Sequence, residues 1–181
     1  MIKRRTLTLV LGGIALVQLA GCMTKPLQPV RDDGTYCFRI GRSYRPTLTC
    51  TTQPVPSTTA DLEAKRFEPD PSALTVYLVR HRWGDVRNQV LVTVDEGTSV
   101  LTVPESFIRL RLPPGSHRVA LTWEGKTATQ EVDGKAGEVR FIQLAGSVWS
   151  WGSSYVWAAV ERGDAQQRAL KSRLIADIAS R

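Results

Sequence analysis

Three cysteines, two histidines and five tryptophans are the residues of this 181-residue chain whose types could support a chemistry or a binding surface. A thiol can accept a lipid, close a disulfide or ligate a metal, and an imidazole can act as base or ligand. Ser106 and Ser116 lie near His117, but neither stands in the G-x-S-x-G turn that exposes a hydrolase nucleophile. His117 follows a turn at the start of a strand, where a solvent-facing polar residue is the ordinary expectation. His81, between Arg80 and Arg82, falls at a strand end. A catalytic zinc needs three protein ligands, and no spacing here offers them. Nor is there a glycine-rich phosphate loop. The expectation is therefore no catalytic residue, no metal and no cofactor, with a hydrolase as the weakest alternative.

The first cysteine has a different context. Lys3, Arg4 and Arg5 precede TLTLVLGGIALVQLA, residues 6–20, an apolar run interrupted by Gly12, Gly13 and Gln18. A membrane-spanning helix needs about 20 apolar residues, so a basic start, a short apolar middle and a small-residue end describe a secretory signal peptide. The run ends in Leu19-Ala20-Gly21-Cys22. That tetrapeptide resembles the lipobox of bacterial lipoproteins. The resemblance implies a diacylglycerol on the Cys22 thiol, cleavage before Cys22 and acylation of the new amine. Two or more acyl chains anchor stably where one binds only marginally. Met23 stands where many enterobacterial lipoproteins carry an inner-membrane retention aspartate. The resemblance thus implies the outer membrane, with the protein facing the periplasm.

Removing residues 1–21, with their three basic and no acidic residues, takes the formal net charge from +7 to +4. The remaining basic residues are spread out, as in RHRWGDVR, residues 80–87, and imply a solvated surface with some attraction to anionic polymers or headgroups. Nucleic acid is not an expected partner outside the cytoplasm. Cys37 and Cys50 remain, thirteen positions apart in YCFRIGRSYRPTLTC. Export to an oxidising compartment favours a disulfide between them. A metal pair or free thiols are the alternatives, but no histidine lies near and no C-x-x-C is present.

Positioning these residues falls to elements that the chain's texture divides into three parts: signal peptide 1–21; lipidated tether, cysteine loop and Pro-rich linker 22–72; and a β domain 73–181. TTQPVPSTTADLEAKRFEPDPS, residues 51–72, carries four prolines and reads as linker, with one short helical turn in DLEAKRF. Beyond Pro71 the apolar period is two. LTVYLVR (74–80), QVLVTVD (89–95), SVLTV (99–103), FIRLRL (107–112), HRVALTW (117–123), TATQEV (127–132), EVRFIQLA (138–145) and SYVWAAVE (154–161) read as strands. In FIRLRL, Ile108, Leu110 and Leu112 share one side; Phe107, Arg109 and Arg111 share the other. Seven or eight short strands with closely spaced turns predict one antiparallel β-sandwich. DAQQRALKSRLIADIAS then predicts a terminal helix, capped by Asp164 with Gln167 at capping-box spacing and carrying Leu170, Leu174, Ile175 and Ile178 as its apolar stripe.

The order LTVYLVR, a strand with VDEG, ESFIRLRLPPGSHRVAL, GEVRFIQL and a last strand leading into a polar helix resembles a family of small bacterial lipoproteins. Its domain is a transthyretin-like or immunoglobulin-like β-sandwich over residues 73 to 178, with no catalytic residue to carry over. In VWSWGSSYVW, residues 148–157, Trp149, Trp151, Tyr155 and Trp157 crowd between the last two strands. They predict either core packing or a platform for a partner or glycan, since aromatic rings bury large areas at low entropic cost. The functional expectation is a non-enzymatic envelope lipoprotein. Its membrane contact runs through the lipid anchor and its partner is another envelope protein; a glycan or peptidoglycan binder is the alternative.

Overall fold

The computed structural model describes residues 29–42, 45–81, 88–149 and 152–180. Cys22 and Trp151 lie outside the described residues, as does the segment 1–21. The element order is β1 (Cys37–Arg42), β2 (Arg45–Cys50), α1 (Thr58–Ala64), β3 (Leu74–Arg80), β4 (Val90–Val94), β5 (Ser99–Thr102), β6 (Ser106–Leu112), β7 (Gly115–Trp123), β8 (Lys126–Gly134), β9 (Val139–Trp149), β10 (Gly152–Ala158), α2 (Arg162–Leu170) and β11 (Arg173–Ala179).

The fold is a β-sandwich. A four-stranded sheet, β5-β4-β7-β8, faces a five-stranded sheet, β10-β9-β3-β6-β11, and the β1–β2 hairpin forms a third, separate sheet. Leu74, Val76 and Leu78 of β3 and Ile108, Leu110 and Leu112 of β6 meet Val90, Val92, Val94, Val119 and Leu121 of the opposite sheet. Each such side chain, fully buried, contributes about 1.5–3 kcal/mol. The alternation in FIRLRL thus points its aliphatic side into the core, as its period predicts.

Two pairings are parallel, β3 with β9 and β6 with β11, while the others are antiparallel. A period of two sets which face is buried but not strand direction, so the mixed sheet was not readable from the pattern. β3 is buried at all seven positions because its second face is covered too. Tyr77, Val79 and Phe107 pack with Ala64 of α1, Ala169 of α2 and Leu174. Phe67, Tyr77 and Phe141 add ring contacts at 5.1–5.6 Å. The five-stranded sheet is therefore a middle layer.

The C-terminal segment corrects the single-helix expectation. α2 ends at Leu170, and residues 173–179 form β11, paired parallel to β6 with a register shift between Leu174 and Ala176. Leu174 joins the helix-covered face, Ile175 enters the core and Leu170 is exposed. A strand buried on both sides is as uniformly apolar as a helix stripe, which is why the pattern misled. The predicted capping box is also absent: the N-cap is Glu161, without a side-chain cap bond, and Asp164 sits in the first turn.

The segment 51–72 is packed rather than extended away. Ser57 caps α1 through its Oγ, which accepts from the Ala60 N–H at 3.2 Å. Asp61, 3% exposed, accepts from the Leu174 N–H at 2.7 Å and pairs with Lys65 at 2.7 Å. Arg173 donates to the Pro56 carbonyl at 2.8 Å. Thr51–Pro56 crosses the side of the sandwich where the edge strands β5 and β11 lie, leaving a groove of about 440 Å³. At the opposite side, Trp157 Nε1 of β10 donates to the Ala128 carbonyl of β8 at 3.3 Å.

Candidate functional site

Cys37 and Cys50 are cross-strand partners at the base of the β1–β2 hairpin and form the predicted disulfide, with Cα atoms 3.9 Å apart. Burial falls along the hairpin away from this base. Phe38 is 1% exposed and Thr49 is buried, whereas Arg39 and Thr47 are exposed and Leu48 is 52% exposed. The base is held to the sandwich: the Thr51 N–H donates to the Tyr36 carbonyl at 2.9 Å, and Gln89 Nε2 donates to the Cys50 carbonyl at 2.7 Å. Tyr36 itself is fully buried in the main core, and burial pushes its phenol pKa up.

The aromatic stretch does not form one platform. Tyr155 is 1% exposed, 5.5 Å from the Trp123 ring in an edge contact and 5.5 Å from the Arg80 guanidinium. Trp157 packs against the core from the same face of β10. Ser154 and Val156, which alternate with these rings, point outward, and Val156 is half exposed. Of Trp149, only its pairing with Gly152 in the β9–β10 hairpin is described. Tyr155 and Trp157 therefore serve the fold. Arg80 is fully buried beside them and donates to the Thr102 and Asn88 carbonyls, both at 2.5 Å.

His117 departs from the expected solvent-facing role. Its Nδ1 is 2.6 Å from Asp95 Oδ2 and its Nε2 is 2.7 Å from the Pro113 carbonyl. Neither partner can donate, so an imidazolium that donates from both nitrogens fits best. Burial opposes that charge. The bonds to Asp95 and Pro113 and the charges of Asp95 and Asp133 outweigh it and raise the pKa. Asp95 also accepts from the Arg118 N–H at 2.8 Å, and its own pKa is lowered against the effect of burial. With both nitrogens engaged, His117 staples the β4–β5 turn to the β6–β7 turn and has none to spare as a base.

His81 lies elsewhere, in a groove that sequence reading missed. Two adjoining hollows of about 430 and 420 Å³ share His81 and Arg168. One runs over Gln143, Ser147, Ser154 and Val156 on the outer face of β9 and β10; the other adds Glu105, Asp164, Lys171 and Ser172 beside α2. The Arg168 guanidinium donates to Gln143 Oε1. The Ser172 hydroxyl, buried, donates to the Arg168 carbonyl at 2.8 Å and so closes the end of α2. The groove joins a histidine, carboxylates and a serine, but that serine is committed to the backbone. Its mixed charges suit a polar ligand. Gln143 in the apolar run Phe141–Ala145 of β9 was the available signal.

A second polar cluster, with Arg109 buried and Glu63 at its exposed rim, lies between α1 and the sheet. Arg109 holds Asp177 through two bonds, Nε to Oδ1 at 3.0 Å and NH2 to Oδ2 at 2.6 Å, and also reaches Glu63 at 3.2 Å. Hydrogen bonding to Asp177 raises the Arg109 pKa against desolvation. These residues clamp α1, β6 and β11 together. Among the described residues no three His, Cys, Asp or Glu side chains converge as metal ligands, and no helix is long and apolar enough to cross a membrane. In comparisons with protein families and curated proteins, no family model and no curated sequence matches the chain.

Proposed function

We propose that the chain is an exported lipoprotein, anchored through Cys22 and facing the periplasm from the outer membrane, whose sandwich acts as a non-enzymatic binding or structural module of the envelope. The observation that carries this reading is the disulfide Cys37–Cys50 behind the lipobox-like Leu19-Ala20-Gly21-Cys22. A disulfide persists in oxidising compartments and is rare in the cytosol. The use of His117 as a staple, and of Tyr155 and Trp157 as packing, supports a module whose chemistry goes into holding shape. It also weighs against a four-ring glycan platform.

Mass spectrometry of the mature chain, with membrane partition of wild type and Cys22→Ser, tests the anchor. The expected result is a lipidated N-terminal Cys22 in the wild type and none in the variant. An unmodified Cys22 in a membrane-extracted sample overturns the proposal. Crosslinking of the lipidated protein in intact cells should then capture an envelope protein. A periplasmic hydrolase is the second reading, favoured only by the groove that places His81 with Glu105 and Ser172. Hydrolysis of generic ester or amide substrates, lost in His81→Ala, would promote it.

A further inference from the structure

The helix layer over the five-stranded sheet stops partway along β9. Val139 and Phe141 lie under it, whereas Ala145 and Ser147, further along the same face, line the open hollow of about 430 Å³. On β10 the matching residues are Val156, paired with Ala145, and Ser154, paired with Ser147. The hollow therefore has an apolar middle and a hydroxyl-bearing end. Its other end is Gln143 with Arg168.

That end is built but only partly used. Gln143 is 6% exposed, and its Oε1 accepts from the Arg168 guanidinium. Because arginine offers only donors, this bond fixes which way the amide is turned. Among the described residues the Gln143 amide NH2 has no partner, and it is not sealed from solvent. Nor does Arg168 have a carboxylate partner among them, so its other N–H donors are unspent. Asp164, one turn earlier on α2, lines the adjoining hollow with Glu105 and makes no pair with Arg168. An amide donor set beside a guanidinium, with no acceptor supplied by the fold, suits a planar anion that accepts from both. A carboxylate has that shape.

The rest of the hollow bears on what carries the carboxylate. From Gln143 to Ser147 the floor runs about 14 Å at roughly 3.4 Å per residue, the length of about four extended residues. A chain laid along it would meet Ala145 and Val156 with apolar side chains. Its amides would meet Ser147 and Ser154, whose hydroxyls both donate and accept. A sugar acid would instead want a ring to stack on. No described Trp, Tyr or Phe lines the hollow, and Tyr155 and Trp157 pack toward the core.

We propose that this groove binds the C-terminal end of an extended peptide, its carboxylate held by Gln143 and Arg168 and its preceding residues laid over Ala145, Val156, Ser147 and Ser154. The inference gives the binding role proposed above a ligand class. It rests on the sandwich being a binding module and not on Cys22.

The test is fluorescence anisotropy of tetraalanine, labelled at its N-terminus, with the purified full-length chain in non-ionic detergent. The free acid is expected to bind, and the C-terminal carboxamide about tenfold or more weakly. Gln143→Glu, which keeps a partner for Arg168 but replaces the donors by an acceptor, should weaken the free acid by about tenfold or more, as should Arg168→Gln. Arg162→Gln removes the same charge from α2 outside the groove and should bind as wild type. Should Arg168→Gln melt early, Gln143→Glu still decides. Equal binding of acid and carboxamide, undiminished binding by both groove variants, displacement by glucuronate as effective as by unlabelled tetraalanine, or no binding at all overturns the proposal. The peptide should be recovered intact, and its cleavage would overturn the proposal in favour of the hydrolase reading. Mass spectrometry of Cys22 reads the anchor separately, so either idea can fail without the other.

Discussion

Asp61→Ala is the most informative perturbation of the fold, because one carboxylate ties the segment before the sandwich to its last strand. Its Oδ1 accepts from the Leu174 N–H and its Oδ2 from Lys65, each at 2.7 Å, with Arg173 at 4.0 Å. The two side chains of the Asp61–Lys65 pair are 4% and 10% exposed. Truncation leaves the Leu174 N–H without its acceptor, at about 1–3 kcal/mol, and Lys65 without its counter-charge. Removing one partner of a buried pair costs about 3–5 kcal/mol. These effects overlap, so the expected loss for Asp61→Ala is about 3–5 kcal/mol, a large share of the 5–15 kcal/mol typical of a domain. Asp61→Asn keeps an oxygen for the Leu174 N–H and removes only the counter-charge of Lys65, so it should cost about 1–3 kcal/mol less than Asp61→Ala. Urea unfolding gives the two values. Hydrogen exchange should show residues 173–179 opening earlier than β3 in Asp61→Ala. If Asp61→Ala and Asp61→Asn melt alike, or if the alanine costs less than about 1 kcal/mol, the carboxylate is not the tie described.

Trp157→Ala, at a half-buried ring that closes β10 against β8, should cost about 2–3 kcal/mol, below the 3–5 of a fully enclosed aromatic such as Tyr155; denaturant midpoints of both variants, with Val156→Ala as the near-neutral control, check the order. The His117–Asp95 staple makes stability depend on pH. The raised histidine pKa means that its contribution is complete below about 6.5 and is lost as pH rises through the folded value. The lowered Asp95 pKa means that the carboxylate's contribution is present above about 4 and is lost as pH falls through its folded value. The staple therefore acts most strongly between about pH 4 and 6.5. The melting-temperature gap between wild type and His117→Gln should be widest there and narrow toward pH 9, and a gap that is flat across the range refutes it.

The strands from β3 to β10 were readable because each carries its own short-range signal. Alternation marks the core side of β6, and Pro113-Pro114-Gly115 marks the turn before β7, where Gly115 takes a φ of +143° that side chains rarely adopt. The disulfide was readable from export and spacing. What escaped was set by partners far away in the chain. Arg109 looks like a solvent-facing residue of an amphipathic strand until Asp177 and Glu63 arrive from β11 and α1. Asp61 looks like a linker residue until Leu174 meets it. His117 looks exposed until the turn carrying Asp95 folds over it.

These misses share a cause, and it bears on where function can reside. A strand pattern reports one buried face, and the unread feature is that the five-stranded sheet has two. Covering the second face requires α1, which draws residues 51–72 into the fold, and it requires the chain to return as β11 beside β6 after α2. The outer layer thereby takes up surface that a two-layer sandwich would leave for partners. Among the described residues, the groove along β9, β10 and α2 that holds His81 and Arg168 stays open on this sheet's outer face.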